Sequence, residues 1–280
     1  MMTGVGSPVP IVLDAHQHVD VRRVGAGEDD ALHLLQADFE ARMAMMSREN
    51  IAATVLMPSY DYDKRFGTFS TQRVLDALSQ YQSWDAERIR WLGLTVEPQY
   101  GKSAVRQLED ALNTGVFKVV SWHNRYQGLS VDHPIMFEFV ALAGQHNCVV
   151  YLHGTNSDHE ELWRIGPLVR AFPEVRFVVV DALMVGSHTP IIMDLMTDVG
   201  NIWVDTAGAT TFVNAVRAVG ETAGWDKLLF GSDVYDSGRG GSPMIVRHLL
   251  DVCGLDTDAM RKVCGENLVA LMEGSPVKSA

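Results

Sequence analysis

Short apolar, β-branched runs alternate along this chain with stretches of helical periodicity. The runs cover residues 11–15, 52–57, 89–96, 116–121, 148–152, 176–180, 201–204 and 227–231. Amphipathic segments separate them, at 37–49, 72–82, 103–113, 134–146, 159–171, 190–198, 211–222 and 243–253. A run that is apolar throughout reads as a strand buried on both faces, the mark of a parallel sheet covered by helices. Strand and helix in alternation, eight times over, predict an α/β protein of the (β/α)8 TIM-barrel type. Residues 256–272 add a C-terminal helix after the eighth unit. A doubly wound open sheet would favour a glycine-rich turn after the first strand, and Asp14-Ala15-His16-Gln17-His18 is not one. No composition shift or Pro/Gly/Ser-rich linker divides the chain, so residues 1–280 read as one barrel domain. Segments 19–36 and 60–70 read as loops over the barrel mouth.

The barrel turns scattered polar residues into a constellation. Residues just past the C-terminal ends of the strands share one mouth, where barrel enzymes keep their chemistry. Those positions hold His16 and His18 after strand one, and Trp122, His123, Asn124 and Arg125 after strand four. His153 follows strand five, Asp181 strand six, Asp205 strand seven and Asp233 strand eight. Histidines at i and i+2 of an extended segment lie on one side and can converge on a point. Neutral imidazole is a common ligand of divalent transition metals. His16, His18, His153 and Asp233 thus form a candidate set for one divalent ion, leaving a coordination position for water, as in a catalytic site.

Composition narrows the partners. A net charge of −12 argues against nucleic acid and anionic membranes, and leaves a small-molecule substrate. No basic, apolar leader opens the chain and no apolar stretch is long enough to span a bilayer, so a cytoplasmic location is expected. Three cysteines without a CxxC pair, Cys148, Cys253 and Cys264, read as buried free thiols.

The motifs resemble the amidohydrolase superfamily, in particular its amidohydrolase-2 branch of metal-dependent hydrolases and decarboxylases. Leu13-Asp14-Ala15-His16-Gln17-His18 resembles the family opening, an acid before the HxH. Phe117 to His123, followed by Gln127-Gly128-Leu129 and Asp132-His133-Pro134, resembles the fourth strand and its substrate loop. Val149 to Gly154 resembles the fifth-strand ligand segment, Leu228 to Asp233 the eighth-strand signature, and Gly265-Glu266-Asn267 the C-terminal helix. The resemblance implies one metal, most often zinc, on His16, His18, His153 and Asp233, with Asp233 also taking a proton from metal-bound water. It also implies that a homodimer is common. The chain departs from the pattern at the end of strand six, where the family's histidine acid/base is replaced by Asp181.

Two reactions are open to such a site. A metal-activated water, with Asp233 as base and His123 polarising the carbonyl, would hydrolyse an amide, lactone or related ester. A carboxylated aromatic or unsaturated acid would instead be protonated at carbon and lose CO2. Decarboxylases of this branch rely on the strand-six histidine, so its absence favours hydrolysis. A barrel of weakened activity kept for binding is a third reading. Asp181 is expected to be a base, an additional ligand or a structural residue, ionised beside a cation, and His188 could reach back into the mouth. Trp122, Arg125 and Tyr126, with the Tyr60/Tyr62 loop, are the candidate substrate contacts.

Overall fold

In the computed structural model, which describes residues 11–155, 157–209, 212–236 and 239–274, the described strands form one sheet. They are β1 (Val12–Val19), β2 (Ile51–Pro58), β3 (Trp91–Leu94), β4 (Phe117–Trp122) and β5 (Val149–His153), followed by β6 (Phe177–Val180), β7 (Ile202–Asp205), β8 (Leu228–Leu229), β9 (Val234–Asp236) and β10 (Arg239–Gly240). From β1 to β8 each strand pairs in parallel with the next. The segment after β8 then closes the ring on β1. Phe230 O accepts from Ala15 N at 2.7 Å, His16 O accepts from Asp233 N at 2.8 Å, and Gln17 pairs with Val234 in β9. The fold is an α/β barrel of the (β/α)8 type, with β9 and β10 as a small antiparallel hairpin on its rim.

The helices are α1 (Arg22–Ala26), α2 (Ala31–Arg48), α3 (Thr68–Trp84), α4 (Lys102–Asn113), α5 (Asn124–Gln127) and α6 (Pro134–Gln145), then α7 (Leu162–Ala171), α8 (Thr189–Asp198), α9 (Val213–Thr222), α10 (Pro243–Cys253), α11 (Thr257–Arg261) and α12 (Asn267–Glu273). A π-helical turn (Lys262–Glu266) joins the last two into the expected C-terminal helix. Its Asn267 donates to the Trp225 and Leu228 carbonyls and so anchors the start of β8. Among the described residues no helix is long and apolar enough to cross a membrane. The three cysteines are free and buried.

Side chains alternate across each strand, and the core splits accordingly into two buried sets. Val55, Met57, Val119, Val149, Tyr151, Val178, Val180 and Leu229 fill the barrel interior. Leu56, Val120, Trp122, Val150, Leu152, Phe177 and Val179 face outward and meet the apolar sides of the helices. The inward series of β4 runs Val119, Ser121, His123, and that of β5 runs Val149, Tyr151, His153. The alternation itself therefore aims both histidines into the mouth.

Two sequence expectations change. Strand β1 does not end before the histidines but runs through His16 and His18, with a register shift between Asp14 and Gln17. Segment 19–36 is not an open loop, since it holds α1 and the first turns of α2. The start of α2 carries Leu32 and Leu34 exposed at 45% and 41%, so its apolar positions form no single stripe to betray the helix. Segment 60–70 does cross the rim without regular structure as far as Thr68.

Candidate active site

Three imidazoles converge at the mouth. His16, His18 and His153 each bring one ligand nitrogen within 4.8 Å of the others, and all three are buried. Every ring is held by its Nδ1. For His18 the partner is the Pro58 carbonyl at 3.1 Å, and for His153 the Trp122 carbonyl at 3.0 Å. A carbonyl only accepts, so these two rings carry their proton on Nδ1 and turn an Nε2 lone pair to the site. For His16 the partner is Asp205 Oδ2 at 2.7 Å. The His16 and His18 Nε2 atoms lie 2.8 Å apart, and Asp233 Oδ1 is 3.5 Å from both. The His153 Nε2 and Asp233 Oδ1 atoms are buried with no hydrogen-bond partner among the described residues.

This donor set fits a divalent cation. Ligating histidines characteristically give their other N–H to a carboxylate or backbone carbonyl, which fixes tautomer and ring direction. Two orphaned buried polar atoms beside converging nitrogens are what a cation would satisfy. Charge agrees with the geometry. Burial pushes the His16 imidazole down, yet Asp205, with Asp233 and Asp181 behind it, outweighs burial and raises it to about 10. Burial and the neighbouring imidazoles hold His18 and His153 well below the usual histidine range. One protonated histidine between two neutral ones is the metal-free state of such a cluster. Metal-ligand bonds would replace that proton.

Two aspartates flank the cluster. Asp181 and Asp233 both adopt left-handed backbone, with φ of 61° and 55°, a conformation aspartate tolerates better than most residues. Asp181 Oδ2 is 4.0 Å from His153 Nε2, and its own N–H donates to Asp205 Oδ1 at 3.2 Å. Burial raises the Asp181 carboxyl well above the usual range, the negative charge of Asp233 raises it further, and His16 pulls the other way. Burial also lifts Asp233, to about 6, against the pull of His16. Beneath them Asp14, fully buried, accepts from His16 N (3.1 Å), Gln17 Nε2 (2.8 Å), Ser232 N (3.0 Å) and Ser232 Oγ (2.6 Å). It thereby ties β1, which carries His16 and His18, to the segment that carries Asp233.

On the β4 side, His123 stacks on His153 with ring centroids 4.1 Å apart and an interplanar angle of 11°. Its Nδ1 is 2.7 Å from Glu160 Oε2. Glu160 is fully buried, and also accepts from Arg125 N at 3.1 Å and from the Thr155 hydroxyl. Glu160 was invisible in the sequence because it lies in the loop between β5 and α7, outside any strand end. Its one linear signal is an acid seven residues past the candidate ligand His153. Asp205 was legible as a mouth residue, but its hold on His16 was not.

Tyr126 is half-exposed and meets the His123 ring edge-on at 4.5 Å, with the Arg125 guanidinium 5.8 Å from its own ring. Tyr60 meets His18, His123 and His153 edge-on and bonds Ser121 through its hydroxyl, and Tyr235 stacks on His18 at 4.5 Å. Tyr62 instead turns to Thr71 in α3. The substrate-contact expectation for Trp122 is overturned, because its strand position faces outward. The indole is fully buried, donates to the Val96 carbonyl at 3.2 Å and packs on Phe139 of α6. Nor does His188 pair with the mouth groups, since its Nε2 meets Glu161 at 3.2 Å.

The family model described as amidohydrolase matches residues 13–271. The chain belongs to the amidohydrolase family. Solved structures share this amidohydrolase-family barrel along nearly its whole length. A 2,6-dihydroxybenzoate decarboxylase from Rhizobium aligns at 14% identity and TM-score 0.74, over 95% of this chain and 99% of its own. A dihydroxybenzoic acid decarboxylase from Polaromonas sp. JS666, with bound manganese and the inhibitor 2-nitroresorcinol, aligns at 14% identity and TM-score 0.72, over 95% and 97%. A 5-carboxyvanillate decarboxylase from Sphingomonas paucimobilis aligns at 15% identity and TM-score 0.69, over 94% and 98%. No curated protein matches the chain by sequence.

Proposed function

We propose that this amidohydrolase-family barrel is a metal-dependent decarboxylase of a small aromatic or unsaturated carboxylic acid. The observation that carries the reading is the buried Asp181 carboxyl at the end of β6, with Oδ2 4.0 Å from His153 Nε2. In the metal-free protein burial, with the negative charge of the partly buried Asp233 added to it, lets Asp181 keep a proton to higher pH than a free aspartate, against the expectation of an ionised group. Decarboxylation needs such a proton in a dry site. The C–CO2 bond breaks and leaves its electron pair on carbon, that carbon takes the proton of Asp181, and CO2 departs. The Asp181 carboxylate then recovers a proton from solvent. The aspartate on β6 can in this way do the work expected of the missing histidine, and the preference for hydrolysis drawn from that absence weakens. The decarboxylase relatives support the same reading.

His16, His18, His153 and Asp233 would hold the cation, which supplies positive charge to anchor and polarise an anionic substrate. Manganese in the Polaromonas relative and the zinc expected from sequence make both ions part of the test. Tyr126 and Tyr235 offer ring faces and edges to a planar substrate, and His123, fixed by Glu160, offers a directed imidazole beside the metal ligands. A net charge of −12 supports a small molecule as the partner.

Hydrolysis is the second reading, favoured by one observation. Asp233 Oδ1, unpartnered beside two Nε2 atoms, is where a base for water would sit. Metal-loaded protein offered hydroxybenzoates in one arm, and esters, lactones and amides in the other, separates the two. CO2 release with solvent deuterium at the vacated carbon is the expected result. Ester, lactone or amide cleavage without CO2 release overturns the first reading in favour of the second.

A further inference from the structure

We infer that Arg42 is a positioning residue for the metal centre, a single buried guanidinium that clamps both ligand-bearing segments from outside the barrel; this rests on the metal-site reading above. Arg42 belongs to α2, yet it is 1% exposed and its fork points inward. Nη1 donates to Gln17 Oε1 at 2.7 Å, the side chain between the two histidines of the HxH. Nη2 donates to the His18 carbonyl at 2.6 Å and to the Tyr235 carbonyl at 2.6 Å. His18 is a ligand, and Tyr235 stands two residues past Asp233 and stacks on the His18 ring. One planar cation thus fixes β1 and the Asp233 segment at a set separation.

The clamp continues into the acid below. Gln17, held by Arg42 through its oxygen, donates its amide to Asp14 Oδ2, and Asp14 receives Ser232 and the His16 amide. Arg42–Gln17–Asp14–Ser232 is therefore a continuous polar chain beneath the ligands, running from one segment to the other. Nε donates to the Tyr81 hydroxyl at 3.0 Å and to Asp38 Oδ2 at 3.4 Å, and the Asp38 carboxylate, 3.3 Å from Nη2, balances the charge. Burying a guanidinium is costly unless its donors are satisfied. Here the satisfied donors end on the scaffold of the centre. Lysine, a point charge with no planar fork, cannot reproduce the three inward bonds at once.

Metal affinity tests this directly. Removing an outer partner of a metal site typically costs about 10–100-fold in affinity. Arg42→Gln is expected to weaken Mn2+ and Zn2+ binding by about that factor in chelator-competition titrations, with Arg42→Lys in between. Met46→Ala is the control, because Met46 lies fully buried on the same helix within the outer core. It should lower thermal stability while leaving affinity intact. The rise in Tm on adding metal should shrink in Arg42→Gln and persist in Met46→Ala. Arg42→Gln that folds and binds as the wild type does, or Met46→Ala that loses affinity equally, overturns the clamp. Wild-type protein that binds neither ion overturns the metal-site reading itself, a result distinct from either.

Discussion

Asp205 Oδ2 sits 2.7 Å from Nδ1 of His16, and neither side chain is exposed. Asp205 ends β7 and His16 lies within β1, so the contact crosses the barrel mouth between segments 189 residues apart. The carboxylate fixes the imidazole with Nε2 towards His18, and its second oxygen takes the amide of Asp181. One buried acid thus orients a candidate ligand and anchors a candidate proton donor. Asp205→Asn keeps the shape and removes the charge. Its divalent-metal affinity is expected to fall about 10–100-fold, measured by titration against a chelator.

The same pair makes metal binding depend on pH. In metal-free protein His16 is raised from 6.5 to about 10, so its protonated form is favoured by the fold. That contribution to stability is present in full below 6.5 and is lost as pH rises through about 10. A cation must displace the proton, so affinity should climb about tenfold per pH unit across that window, with proton release on binding. Calorimetry in buffers of differing ionisation enthalpy reads the released proton. In Asp205→Asn, where the cause of the shift is gone, the slope should flatten between neutral pH and 10.

How much of this was legible follows from what a linear pattern can hold. The eight strands and the convergence of His16, His18 and His153 come from alternation plus the rule that barrel strands end at one mouth, and the structure gathers them as expected. Side-chain direction at a strand end was harder. Trp122 and His123 are adjacent, yet the pleat sends one into the helix layer and the other to the site. Glu160 and Arg42 carry no local signal, because an acid in a loop and an arginine on an outer helix look solvated until the tertiary fold buries them. Their partners lie 37 and 25 residues away, on other elements.

Trp122→Ala should behave as a core mutation. Removing a fully buried indole leaves a cavity between β4 and α6 and leaves the Val96 carbonyl with Gln127 Nε2 as its remaining side-chain donor, at a cost of roughly 3–5 kcal/mol. Trp122→Phe keeps most of the volume and should stay folded. Its KM for any accepted substrate is expected to match wild type, because the ring does not face the mouth. A KM shift in the phenylalanine variant without loss of Tm would restore Trp122 to the substrate contacts.

Glu160→Gln tests the β4 side of the mouth. Glu160 accepts three hydrogen bonds, from His123, Thr155 and the Arg125 amide, and the glutamine replaces one acceptor oxygen by a donor group. His123 then loses its carboxylate partner while keeping its stack on His153. Turnover is expected to fall by about 10-fold to 10²-fold, at the low end of what a lost acid/base contact costs, with metal content unchanged by elemental analysis. Loss of metal together with activity would move Glu160 to the support of His153.

Asp181 decides the chemistry, because it occupies the position where sequence resemblance leads one to expect a histidine. The carboxyl is buried, lies 4.0 Å from His153 Nε2 and is pushed upward by burial and by Asp233. As the proton donor to carbon, it should lose about 10² to 10⁴ in turnover when changed to asparagine, which has no proton of comparable acidity to give. Metal occupancy should hold, since the three imidazoles and Asp233 remain. If Asp181 were a ligand, the same change would lower affinity for the cation before it lowered turnover of the loaded enzyme. Asp181→His separates donation from mere charge, because an imidazolium at that place could still deliver a proton. Recovered CO2 release in the histidine variant, with none in the asparagine variant, would establish proton transfer as the work of this residue. Equal turnover in wild type and Asp181→Asn at full occupancy would remove it from the reaction and leave Asp233 as the acid/base group.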